Sequence, residues 1–107
     1  MPKPYDSTQP SRESIDALQG ATLLEFGTNW CGICRAAQPH IERALAAAPP
    51  QLRHLKVEDG PGRALGRSFR IKLWPTLIAL RDGQEVARAV RPSTAAEVQP
   101  LLQALQR

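Results

Sequence analysis

Residues 22–48 constrain the fold more than any other part of the chain. The run Thr22-Leu23-Leu24-Glu25-Phe26-Gly27 is short and apolar and follows Gly20, the pattern of a buried strand. After only three more residues a helical pattern begins at Cys31. Ile33, Ala37, Ile41, Ala44, Leu45 and Ala48 recur near the helical period until Pro49-Pro50 stops it. Pro39 falls inside that helix, where it removes one backbone donor and crowds the preceding turn, so a kink is expected.

The rest of the chain supplies partners for this unit. Ser11 to Leu18 reads as a short first helix with Ile15 and Leu18 inward. Residues 1–10, with three prolines and little apolar material, read as a flexible N-terminal arm outside a single domain over 11–107. Leu52 to Val57 alternates weakly, a second strand with Leu55 and Val57 facing in. Gly60-Pro61-Gly62 marks a turn, and Arg63 to Phe69 a short helix. Thr76–Leu80 and Glu85–Val90 flank Asp82-Gly83, a strong hairpin signal. Thr94-Ala95-Ala96-Glu97 has the form of a capping box before Val98, Leu101, Leu102 and Leu105 on one helix face. Pro100 would sit in its second turn, so that helix is expected to start later than the box suggests. Strands alternating with helices and closed by a C-terminal antiparallel hairpin predict an α/β fold, a mixed central sheet with helices on both faces.

Apolar residues make up 42% of the 107 and charged residues 22%, ordinary values for a globular domain. Eleven Arg and three Lys outnumber ten acids, giving a net charge of +4 and a pI near 9.7. The excess is scattered: Arg53, Lys56, Arg63, Arg67, Arg70 and Lys72 are interrupted by Glu58 and Asp59. Without a nucleic-acid motif or interleaved aromatics, this reads as a solvated basic surface, and no nucleic-acid partner is expected. The first 20 residues lack the apolar core of a secretory signal, and no run of about 18 apolar residues occurs. No membrane partner and a cytoplasmic location are therefore expected. There a purely structural disulfide is disfavoured and a catalytic cysteine pair fits.

The two cysteines lie together in Asn29-Trp30-Cys31-Gly32-Ile33-Cys34-Arg35. Cys31 falls at the start of the helix, where the N–H groups lack intrahelical partners and the dipole is positive, which favours a thiolate. Cys34 lies almost one turn below it, close enough to bridge. An outer thiolate can attack a substrate disulfide and a second thiol can resolve the mixed disulfide. Cys31 is then the attacker and Cys34 the resolver, while Gly32 lets a substrate backbone approach. Glu25 is anomalous, because an acid in a buried strand is costly unless paired or protonated, and burial raises its pKa.

These residues resemble the thioredoxin family over about residues 15–105. The marks are Trp30-Cys31-Gly32-Ile33-Cys34, Pro39 in the following helix, Pro75-Thr76 before the hairpin, and Glu25 six residues before Cys31. The resemblance implies the thioredoxin fold and a protein-disulfide oxidoreductase. Its redox centre would be a Cys31–Cys34 disulfide, with no separate cofactor and no metal. It implies a cis Trp74–Pro75 bond beside the cysteines and a substrate groove formed by Trp30, Gly32, Ile33, Trp74, Pro75 and Thr76. Glu25 matches an aspartate that shuttles the proton of the resolving cysteine, and would serve Cys34 as general base, directly or through a water. The implied partners are protein disulfides and an upstream reductase or low-molecular-weight thiol, acting on a monomer.

The chain departs from the family in four places. The pair encloses Gly-Ile instead of the commonest Gly-Pro, so Ile33 restores a backbone N–H and adds a branched apolar wall. Trp74 replaces a smaller aliphatic residue and would narrow the groove. Gly27 stands where a second tryptophan is usual, and Arg91-Pro92 falls near a usual glycine. Two other readings stay open. One is a metal site of Cys31 and Cys34 with His40 or His54, which lacks the two spaced ligand pairs of structural zinc. The other is a thioredoxin-fold docking module without catalysis. Outside the metal reading, His40 is a surface side chain and His54 a strand-edge residue.

Overall fold

A computed structural model describes residues 3–106. The elements are α1 (Arg12–Asp16), β1 (Ala21–Gly27), α2 (Gly32–Leu45), β2 (Arg53–Glu58), α3 (Ala64–Ser68), β3 (Thr76–Arg81), β4 (Gln84–Val90), a 3₁₀ turn (Ala95–Glu97) and α4 (Gln99–Leu105). The strands lie in the order β2-β1-β3-β4. β1 runs parallel to β2 and antiparallel to β3, which pairs antiparallel with β4. A βαβ unit with α2 as its crossover is thus joined to a hairpin, and the mixed sheet of the thioredoxin fold results.

Side chains alternate along a strand, so β1 divides its residues between two cores. Leu23 packs with Ala37, Ile41 and Ala44 of α2 and with Val98, Leu101 and Leu102 around α4. Leu24 and Phe26 face Ile15 of α1, and Leu65 and Phe69 around α3. Glu25 and Gly27 share the parity of Leu23, which turns both toward α2. Pro39 sits inside α2 without ending it. Asp82 and Gly83 adopt φ values of 50° and 79°, the left-handed backbone that a two-residue hairpin turn requires. The Gly20 N–H donates to Asp82 Oδ1 at 2.8 Å and ties that turn to the start of β1. The capping box closes only the 3₁₀ turn, with Glu97 N–H donating to Thr94 Oγ1 at 3.3 Å. α4 itself begins at Gln99, with Pro100 in its first turn where no intrahelical donor is needed.

The loose arm is the expectation that fails. Tyr5 is only 5% exposed, and Asp6 forms a parallel bridge with Val57. Asp6 N–H donates to the Lys56 carbonyl at 2.9 Å, and Glu58 N–H donates to the Asp6 carbonyl at 3.0 Å. Asn29 clamps the Tyr5 backbone, its Oδ1 accepting at 2.8 Å and its Nδ2 donating at 3.2 Å. One aromatic side chain and the open edge of β2 anchor a segment whose composition is otherwise that of a linker. The described part of residues 1–10 therefore packs as part of the domain, and Met1 and Pro2 lie outside the described residues. Among the described residues no helix is long and apolar enough to cross a membrane.

Candidate active site

Cys31 is the N-cap of α2, with extended backbone (φ −80°, ψ 118°), and its sulfur accepts the Cys34 N–H at 3.2 Å. A sulfur thus fills the place of the usual capping oxygen, at the positive end of the helix. Cys31 is partly exposed, Cys34 is buried, and both thiols are free. Burial, reinforced by the neighbouring Cys31 sulfur, pushes the Cys34 thiol up to about 12, with the Thr28 backbone opposing.

Behind the pair lies a polar cluster centred on Glu25, which is 0% exposed. Its Oε2 accepts from the Tyr5 hydroxyl and from Gln38 Nε2 at 2.9 Å. Its Oε1 lies 2.9 Å from His54 Nε2. Lys56 Nζ donates to Gln38 Oε1 at 2.7 Å and to the Lys3 carbonyl. Burial pushes the Glu25 carboxyl up, but the hydrogen bonds from His54, Tyr5 and Gln38 and the charge of Lys56 outweigh it. The carboxyl is held below its ordinary 4.5. The expected rise is therefore reversed, because four partners replace the lost water. The Tyr5 phenol is raised far above its ordinary range, by burial and then by the Glu25 charge. Burial lowers the Lys56 ammonium, with Glu25 opposing.

The outer face is aromatic. Trp30, 72% exposed, meets Trp74 edge-on with ring centroids 5.8 Å apart. Trp74 Nε1 donates to Asp59 Oδ2 at 2.9 Å, which fixes the ring. Gly32 and Ile33 are exposed beside Cys31. The Trp74–Pro75 bond is cis, as the resemblance implied. Pro75 and Thr76 are buried, and Thr76 Oγ1 donates to the Leu73 carbonyl at 2.7 Å, so its side chain turns inward.

Residues 7–104 match the sequence profile of the family described as thioredoxin. The chain belongs to the thioredoxin family. It is 52% identical to thioredoxin 2 from Pseudomonas aeruginosa PAO1, solved in its reduced form. That structure has a TM-score of 0.86 and the match covers 98% of this chain and 96% of that one. The thioredoxin of Chlamydia trachomatis serovar D is 38% identical over 71 residues, 66% of this chain and 69% of that protein. Trxlp from Edwardsiella tarda EIB202 is 26% identical, with a TM-score of 0.70 over 84% of this chain and 88% of that one. This member of the family is a thiol–disulfide oxidoreductase, a protein-disulfide reductase with Cys31 and Cys34 as its Cys-x-x-Cys pair. Membership implies protein disulfide substrates and a reductase that restores the dithiol.

Two of the thioredoxin departures now have a structural reading. Arg91 holds φ 51°, a backbone that favours glycine, and clamps the cis Trp74–Pro75 segment, donating its N–H to the Pro75 carbonyl at 2.8 Å and its Nε to the Trp74 carbonyl at 2.9 Å. Gly27 lies against Tyr5 and Cys34, where a side chain would collide with both. Sequence reasoning missed Tyr5, Gln38, Lys56 and the part played by His54. Pairing β1 with β2 places His54 opposite Leu23 and Lys56 opposite Glu25, so both project to the α2 side. That register was the available signal for them. Gln38 carried one too, four residues after Cys34 on the helix, and its Nε2 donates to the Cys34 carbonyl at 3.0 Å. His54 does lie on the edge strand, with its ring on Glu25, while His40 is partly exposed on α2. Among the described residues no three His, Cys, Asp or Glu side chains are grouped to hold a metal ion.

Proposed function

We propose that Cys31 attacks and Cys34 resolves. The Cys31 thiolate bonds to one sulfur of a substrate disulfide, and the other substrate sulfur leaves as a thiolate. Cys34, deprotonated, then bonds to Cys31 Sγ, and the second substrate sulfur leaves with the electron pair of the broken bond. The substrate is reduced by two electrons, the Cys31–Cys34 disulfide closes, and an upstream reductase or low-molecular-weight thiol reopens it. Glu25 takes the Cys34 proton as general base. Trp30, Gly32, Ile33, Trp74 and the backbone at Pro75-Thr76 form the docking face of a monomer. A cytoplasmic location suits the role, because reducing thiols there keep the pair open.

The difference in accessibility carries the assignment: Cys31 reaches the surface and Cys34 is fully buried, so only Cys31 can meet a protein substrate. With dithiothreitol as reductant the protein accelerates insulin reduction, and Cys31→Ser abolishes this. Cys34→Ser accumulates mixed disulfides on Cys31. Mixed disulfides trapped through Cys34 in Cys31→Ser overturn the roles.

A further inference from the structure

We propose that the Tyr5 hydroxyl carries the resolving-step proton from Cys34 to Glu25, which makes the N-terminal segment part of the catalytic machinery. The inference rests on Cys34 being the resolving thiol. Tyr5 Oη donates to Glu25 Oε2 and accepts from Gln38 Nε2 at 3.3 Å. The same hydroxyl and the Cys34 sulfur converge on Gly27. A Cβ there would lie 2.7 Å from Tyr5 Oη, 2.6 Å from Tyr5 Cζ and 2.8 Å from Cys34 Sγ. The hydroxyl and the thiol thus face each other across Gly27 and line one cavity. Gly27 is therefore the gap that lets a phenol bonded to Glu25 approach the Cys34 thiol.

Gln38 also links the two ends, but it meets Cys34 through the backbone carbonyl, and its amide is no proton carrier. A phenol can accept a proton at oxygen while releasing its own. In the mixed disulfide the Cys34 S–H proton passes to Tyr5 Oη as the Tyr5 proton passes to Glu25 Oε2. The phenol is neutral before and after, as its raised pKa requires. The Cys34–Cys31 bond forms, the Cys31–substrate bond breaks, and the departing substrate thiolate takes a proton from water. Glu25 returns its proton to water after the disulfide has closed, and His54, 2.9 Å from its other oxygen and with its side chain 21% exposed, lies between the carboxyl and solvent. The titratable groups facing this path are Cys31 and Cys34 of α2, Glu25 of β1, His54 and Lys56 of β2, and Tyr5. Lys3 and Glu42 act on it through Lys56.

Tyr5→Phe keeps the ring against Gly27 and removes only the hydroxyl. Rapid mixing with a disulfide substrate separates formation of the mixed disulfide from its decay. The expected result is Cys31 attack at the parental rate, with decay slowed about tenfold or more at pH 7, as for loss of a general base. The deficit shrinks as pH rises and hydroxide replaces the relay. Glu25→Gln reproduces it, and the double variant is no slower than the slower single one. Parental decay in Tyr5→Phe overturns the relay, as does a deficit that is flat with pH or equal in the attack step. Tyr5 is the only tyrosine of the chain. Biosynthetic replacement by 3-fluorotyrosine therefore alters the acidity of this hydroxyl alone, with no loss of fold. It changes the rate of decay and leaves the attack step alone, and an unchanged decay rate also overturns the relay. Trapping by Cys34→Ser is measured alongside. Intact trapping with parental decay defeats the relay alone, whereas absent trapping defeats the assignment of roles beneath it.

Discussion

A carboxylate without solvent contact persists in β1 because Tyr5, Gln38 and His54 replace hydrogen bonds that burial takes from water, with the Lys56 charge nearby. Its effect on stability has a definite sign. A carboxyl held below its unfolded value stabilises the fold fully above about 4.5, and that contribution is lost as pH falls through the folded value. Glu25→Gln keeps the shape and removes the titration. Urea unfolding is expected to show the variant weaker by about 3 kcal/mol at neutral pH, the scale for breaking a buried charged pair. The gap should narrow progressively below about pH 4.5. A gap that is constant through the acid range would show that Glu25 is neutral when folded. Glu25, Cys31 and Cys34 were singled out by residue type and local context, and the family resemblance suggested a role for Glu25. Tyr5 was not, because its bond to Glu25 spans 20 residues and nothing in a proline-rich segment marks a buried ring.

Elements were legible where their chemistry is local. The hairpin follows from Asp82-Gly83, since few other residue pairs accept positive φ at both positions. Gly83 is doubly constrained, at φ 79° and with a Cβ position 2.1 Å from the Asp16 carbonyl oxygen. Gly83→Ala therefore combines left-handed strain with a backbone collision at the α1 side. The expected cost is about 2–4 kcal/mol, or a drop of roughly 10–20 °C in Tm by calorimetry. A change under about 2 °C would mean that the turn yields without cost. Helix ends were less legible. The periodicity runs to Ala48, yet α2 ends at Leu45, and Ala47 and Ala48 donate back only three residues, to Ala44 and Leu45. Pro49 and Pro50 disfavour helical backbone before them, so the last turn tightens to 3₁₀ form. The register that brings His54 and Lys56 to Glu25 is a matter of pairing between elements, which no single periodic pattern states.

At the scale of the whole molecule, the N-terminal segment ties the open edge of β2 to the surroundings of the inner thiol. It extends the sheet beyond β2 through the Asp6–Val57 bridge and seats Tyr5 over the inner thiol. Tyr5, Cys34, Gln38 and Lys56 line a common cavity of about 250 Å³ with Lys3 and Pro4 of the same segment. The inner thiol is thus covered by this segment. Burial holds the Cys34 thiol protonated at pH 7. Iodoacetamide at neutral pH should therefore label Cys31 and spare Cys34 in the intact protein. Removing residues 1–6 deletes the tyrosine and the bridge together. Loss of a buried aromatic is worth about 3–5 kcal/mol, so a large fall in Tm is expected. Cys34 should also become alkylatable at temperatures where circular dichroism still reports a folded sheet. Labelling is the decisive readout, because destabilisation alone follows from any lost packing. If the truncated protein stays folded and Cys34 remains as protected as before, the thiol is shielded by α2 and the sheet alone, and the segment is only a brace on β2.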